Sequence, residues 1–152
     1  MLLGIDGLLD GELLKVLRDM GHGDELAVVD VNFPAFSTAR SLIVPSPLKI
    51  AGVSAARVIR AVLSVMPLDT FVPHAAWRME VVGEPDTWPE VHHEVQHEID
   101  LAFGQPLPMQ GLERFEFYRR AGQAYAVLVT GEVRPYGCFV LKKGVVMSGK
   151  SI

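Results

Sequence analysis

Residues 25–30, ELAVVD, limit the fold more than any other stretch. Leu26, Ala27, Val28 and Val29 follow one another with no polar residue between them. A strand with no polar face is buried on both sides and must be covered on each. The neighbouring sequence offers that cover. Residues 10–20 read as a helix, with Asp10 as N-cap, Leu13, Leu14, Leu17 and Met20 at helical spacing, and Gly21 suited to C′. Asn32-Phe33-Pro34 breaks the strand, and SLIV (41–44), closed by Pro45 and Pro47, reads as a second one.

The pattern then repeats. Ser54 caps a helix whose Val58, Ile59, Val62, Leu63 and Met66 form one broad apolar face, ended by Pro67. WRMEVV (77–82) alternates and reads as a strand. EPDTWP (84–89) is a loop, and residues 90–103 form a helix with Val91, Val95, Ile99 and Phe103 on its stripe. Residues 104–111 hold two prolines and two glycines and read as loop. ERFEFYRRA (113–121) reads as a short helix. AYAVLVT (124–130) and CFVLK (138–142) are strands joined like a hairpin by GEVRPYG. Helices alternating with strands give an α/β sandwich, and the final pair makes its sheet mixed.

At 152 residues the chain is one domain, expected over 1–146, with 147–152 a mobile tail. Charged residues make up 21% and the net charge is −4, which offers no basic stripe for nucleic acid. No run reaches the roughly 18–20 apolar residues of a membrane helix. The first residues, MLLGIDGLLDGELL, lack the basic start of a signal peptide. The single cysteine, Cys138, permits a reducing compartment. Mean hydropathy is +0.27, high for a small soluble domain, and subunit contacts are the first destination for the excess.

Four constellations could carry chemistry. His22, between Gly21 and Gly23, is either a proton-transfer group or a surface histidine after a helix cap. In the same constellation Asp30 ends the strand 25–30, where ligands of open α/β sheets gather, or it satisfies turn N–H groups. Glu113–Arg120 could grip an anion or a sugar, or it is an amphipathic helix with solvated charges. Arg134-Pro135-Tyr136-Gly137-Cys138 presents a tyrosine at a strand mouth, with Cys138 either a thiol or a small buried hydrophobe. Finally His93-Glu94-Val95-Gln96-His97 matches H-E-x-x-H, the zinc metalloprotease signature. His93 and His97 each lie about 200° from a stripe residue, so the pair faces away from the core. His92, Glu90, Glu98 and Asp100 make that face read as solvated. A zinc hydrolase built on His93 and His97 is therefore a remote reading.

The first three constellations resemble the L-fucose mutarotase / D-ribose pyranase family. The matching stretches are LLDGELLKVLRDMGHGDELAVVDVNFPA (8–35), VLSVMPLDTFV (62–72) and LERFEFYRRAGQAYAVLVTGEVRPYGCFVLKKGVV (112–146). The ERF-FY arginine is similar to the fucose branch, and the least similar region, 84–111, contains the H-E-x-x-H. The resemblance implies a three-layer α/β/α sandwich with a mixed β-sheet. It implies exchange of the α and β anomers of a free sugar, most simply L-fucose, with no cofactor or metal. It makes His22 the proton donor. Asp30, Arg114, Tyr136, Gly137 and Cys138 become the sugar-binding residues. It implies a cytoplasmic homo-oligomer, a toroidal decamer. Cys138 departs from the pattern, since the family has asparagine after Tyr-Gly. A thiol is a weak partner where an amide both donates and accepts.

One expectation rests on length alone. Six strand residues at about 3.3 Å each separate His22 from Asp30 by roughly 17–20 Å. A monosaccharide cannot touch both within one subunit, so the site is expected to be composite, with His22 supplied by a neighbour. The alternative in another class is a non-catalytic monosaccharide-binding protein, weakened in catalysis by Cys138. D-ribose, D-galactose and L-rhamnose share the hemiacetal chemistry with L-fucose.

Overall fold

The structure is a computed structural model, and it describes residues 2–147. The expected tail therefore lies, apart from Met147, outside the described residues. In chain order the elements are α1 (Gly11–Asp19), β1 (Glu25–Val29), α2 (Ala35–Ala39), β2 (Leu48–Lys49), α3 (Ala55–Leu63), β3 (Ala76–Met79), α4 (Glu90–Phe103), β4 (Gln110–Leu112), α5 (Arg114–Ala121), β5 (Ala126–Val129) and β6 (Phe139–Lys142).

The six strands form one sheet in the order β2-β5-β1-β6-β3-β4. β5 lies parallel to both β1 and β2, and β4 lies parallel to β3. β6 runs antiparallel between β1 and β3, which makes the sheet mixed. Alternate side chains feed two cores. Leu26, Val28, Leu128, Phe139 and Leu141 pack under α1, α3 and α4. Ala27, Val29, Val127, Val140 and Trp77 pack under α2 and α5, mainly against Phe117 and Ala121. This is the three-layer α/β/α sandwich, and β1 is buried on both faces, as its four apolar residues require. No helix among the described residues is long and apolar enough to cross a membrane.

The helix starts follow from their caps. The Asp10 carboxylate accepts from Leu13 N–H at 2.8 Å, and Ser54 Oγ accepts from Arg57 N–H. The end of α1 falls as expected, with Met20 the C-cap and Gly21 next at C′, and Lys143 Nζ donates to the carbonyls of Leu17 and Met20. A distant cation thus satisfies the helix end.

Corrections concern pairings that only tertiary structure decides. SLIV (41–44) is not a strand. The chain bends there, passes two prolines, and pairs with β5 only at Leu48–Lys49. The five-residue helix α2 lies where only a strand break was expected. The presumed loop 104–111 ends in β4, whose Gly111 lies so close to the Glu80 carboxylate that a Cβ would sit 2.3 Å from Oε1. β5 and β6 do not form a hairpin, because β1 lies between them and pairs with both. β3 does not alternate, since all four of its residues are buried.

The face of α4 also needs correcting. His92 is fully buried and Glu98 nearly so. At 100° per residue His92 projects about 20° from Ile99, and Glu98 about 20° from Val91, so both sit on the core stripe. Glu98 is paired there with Arg60 of α3 at 2.8 Å.

Candidate active site

The sheet has two ends, and the predicted residues divide between them. Asp30 follows the carboxyl end of β1. Cys138 precedes β6, which runs the opposite way, so it returns to the same end. Met79 N–H donates to the Cys138 carbonyl, which brings the end of β3 there too. β4 runs parallel to β3, so Arg114, two residues after β4, starts α5 at this end as well. Five of the six predicted residues therefore share one end of the sheet. His22, before β1, lies at the other.

The Asp30 end is dense. Asp30 is 5% exposed, and its carboxylate accepts from Asn32 N–H at 2.9 Å and from the Cys138 thiol at 3.4 Å. Burial pushes the Cys138 thiol well above its ordinary pKa, and the Asp30 charge adds to that. The thiol is thus a buried, protonated donor to Asp30, not a nucleophile. Gly137 packs so closely that a Cβ would lie 2.5 Å from the Glu132 side chain and 3.4 Å from Asp30. Tyr136 adopts left-handed backbone, φ 64, the sole non-glycine residue with positive φ among those described. For a bulky residue that conformation is strained by roughly 1–3 kcal/mol. Its hydroxyl accepts from Val82 N–H at 3.4 Å. Arg114 is half-buried, with its guanidinium 4.7 Å from the Phe115 ring and its buried Nε without a partner among the described residues.

Two residues outside the six predicted ones, Glu132 and Arg134, build this end. Glu132 is 3% exposed and accepts from Arg134 N–H, from the Arg134 guanidinium at 2.8 Å and from Ala55 N–H. The Arg134 bonds hold its carboxyl down to about 2. Arg134 also grips both oxygens of Glu94 on α4, at 2.9 and 2.7 Å. Glu94, the would-be base of the H-E-x-x-H, is therefore half of an ion pair. His93 lies against Trp88, and among the described residues no three His, Cys, Asp or Glu side chains gather as a metal site.

The His22 end is more open. His22 is 46% exposed, with Nε2 3.1 Å from Asp69 Oδ1 and its ring 5.6 Å from that of Phe71. Asp69 is 3% exposed. Burial pushes its carboxyl up, but the Phe71 N–H and His22 outweigh this and leave it below its ordinary value. Asp69 lies in the 62–72 stretch, yet nothing local in the sequence gave it a partner. β6 ties the two loops together: Lys143 exchanges backbone hydrogen bonds with Gly23 and Asp24, while the Lys142 carbonyl accepts from Asp69 N–H and Gly144 N–H donates to Pro67. A carboxylate can only accept, so this contact favours the proton on Nε2, and Nδ1 has no hydrogen-bond partner among the described residues.

A cleft of about 350 Å³ opens near the start of β1, lined by Glu25, Ile43, Arg119, Arg120 and Tyr125 among others, and it includes none of the six predicted residues.

Comparison with known proteins shows the family. The model of the RbsD / FucU transport protein family matches residues 3–146. The L-fucose mutarotase of Haemophilus influenzae (strain 86-028NP) is 39% identical over 145 residues, covering 95% of this chain and 97% of its own. The fucose mutarotase of Homo sapiens is 38% identical over 151 residues, covering 95% and 94%. The crystal structure of the fucose mutarotase from Streptococcus pneumoniae in complex with L-fucose superposes with a TM-score of 0.81 at 34% identity, covering 96% of this chain and all of that one. On sequence and on fold alike, the chain belongs to the RbsD / FucU family.

Proposed function

We propose that this protein is a mutarotase that interconverts the α and β anomers of a free monosaccharide, L-fucose first among them. Opening the ring requires a proton delivered to the ring oxygen while the anomeric hydroxyl loses one. Bond rotation and reclosure by the reverse transfers give the other anomer. The observation that carries the reading is His22 held by the buried carboxylate of Asp69, with Nδ1 unpartnered among the described residues. In this reading His22 carries the proton, and Asp69 fixes the tautomer and steadies the charged ring. Asp30 accepts from sugar hydroxyls, and Arg114 donates. Tyr136, Gly137 and Cys138 form the rest of the binding wall, with the Cys138 side chain committed to Asp30.

The site is composite in this reading. The five residues of β1 span about 17 Å, so the Asp30 wall of one subunit is completed by His22 of its neighbour. Exposed apolar side chains support such contacts, notably Phe71 beside His22, Phe115 beside Arg114, and Val133 in the loop before Tyr136. The assembly is a closed homo-oligomer, a decamer, working in the cytoplasm.

The test is NMR exchange spectroscopy on L-fucose, D-ribose, D-galactose and L-rhamnose with the protein present. Faster α/β exchange of L-fucose, lost in His22→Ala, is the expected result. Saturation transfer to a sugar without faster exchange would instead identify a binding protein.

A further inference from the structure

We infer that His92, on the buried face of α4, is a positioning residue that sets the conformation of the segment 136–138. The inference rests on the assignment of that segment to the sugar.

His92 fills a core position at which an aliphatic residue would serve packing better. It is fully buried among Phe139, at 5.6 Å between rings, and Trp88, at 6.0 Å. Its Nδ1 has no partner among the described residues, which costs stability. Burial pulls its pKa down to about 4, so the ring is neutral at physiological pH, with its one proton on Nε2. That proton is donated to the Tyr136 carbonyl at 2.9 Å. Tyr136 is the residue held in left-handed backbone. Turning a peptide into that region redirects its carbonyl, and in the interior a redirected carbonyl needs a donor. His92 is that donor.

The same helix anchors the other end of the loop, where Glu94 binds Arg134 and Arg134 binds Glu132. The His92 ring is itself confined. Arg78 lies with its guanidinium 4.4 Å from the Trp88 ring and donates to the Pro85 carbonyl, fixing the loop that carries Trp88. The chain Arg78, Trp88, His92, Tyr136 thus runs from the core to the wall of the site. His92 touches no sugar and acts through the Tyr136 peptide. The segment 84–97 then has a use unrelated to its metalloprotease-like spelling.

The test compares the full-length oligomer with His92→Gln, whose amide can reach the same carbonyl, and with His92→Asn and His92→Leu, which cannot reach it. Amide hydrogen exchange is read first, without sugar. Exchange at 136–138 should quicken at least about tenfold in the Asn and Leu variants relative to the β1 amides, and stay near wild type in Gln. L-fucose titration should show affinity weakened about tenfold in Asn and Leu but within about threefold in Gln, with kcat changed less than KM. If Leu does not fold, Asn against Gln decides alone. Equal exchange changes at 136–138 and β1, or Gln as impaired as Asn, would overturn the inference. A wild-type protein that speeds no sugar's exchange would sink the mutarotase reading, while the hydrogen-exchange contrast would still decide the role of His92.

Discussion

The two ends of β1 are built differently. At the carboxyl end Asp30, Glu132 and Cys138 are each at most 5% exposed, and the loop 131–138 is bound from several sides. At the amino end His22 is half exposed, beside an exposed Phe71 and with one fixed partner, Asp69. The first end is finished within the subunit and can hold a shape against which a small ligand is recognised. The second displays a half-exposed histidine beside an apolar side chain, the group proposed above to carry the proton. In the proposed reading, binding and proton transfer are separated along one strand and rejoined by assembly.

Mutations at the two ends should fail in different ways. His22→Ala should lower the exchange rate by about 10²–10⁴-fold, the usual contribution of a general acid–base group. Sugar affinity, read by titration, should change little. Arg134→Ala should act at the other end and mainly on structure. It strands the buried Glu132 carboxylate, which should cost about 3 kcal/mol in a denaturant melt and weaken sugar binding. If His22→Ala abolished binding while Arg134→Ala left stability and affinity intact, the contrast between the ends would be broken.

Acid should attack the carboxyl end before the rest of the fold. Below about pH 6.5 an unfolded His92 takes up a proton, whereas the folded one resists until about 4. Stability present above pH 6.5 is therefore lost as pH falls toward 4, by up to about 3 kcal/mol. Carboxylates held down by their partners, such as Glu132, lose their share only below about 4.5. Urea midpoints between pH 7 and 5 in wild type and His92→Gln should diverge, the variant being the flatter. The smallest effect concerns Cys138. Cys138→Asn, which places an amide beside Asp30, should tighten L-fucose binding by about 0.5–1.5 kcal/mol if the amide reaches a sugar hydroxyl while keeping the bond to Asp30. Calorimetric titration gives the answer.

What could be read from the sequence follows from how local each signal was. β1 was legible because consecutive apolar residues admit few environments. α4 was legible between its helical stripe and Gly104. Asp30 and the Tyr136–Cys138 segment lie together because strand ends gather there, and the length of β1 sufficed to place His22 apart from them. The missed features depend on partners far away in sequence. Asp69 has meaning only beside His22, and Glu132 only between Arg134 and Ala55. β1 separates β5 from β6 through pairings that no turn signal reports. His92 is the exception. Its angle on α4 was available from residue spacing, and its polarity masked it.

Subunit complementation tests the division most sharply. His22→Ala and Asp30→Asn, each inactive alone, are co-expressed and their mixed oligomers assayed for α/β exchange of L-fucose. If each site joins Asp30 of one subunit to His22 of another, random assembly leaves about a quarter of the sites intact, and about a quarter of wild-type activity returns. Activity no higher than that of the single variants, in oligomers verified as mixed, would mean that each site lies within one subunit.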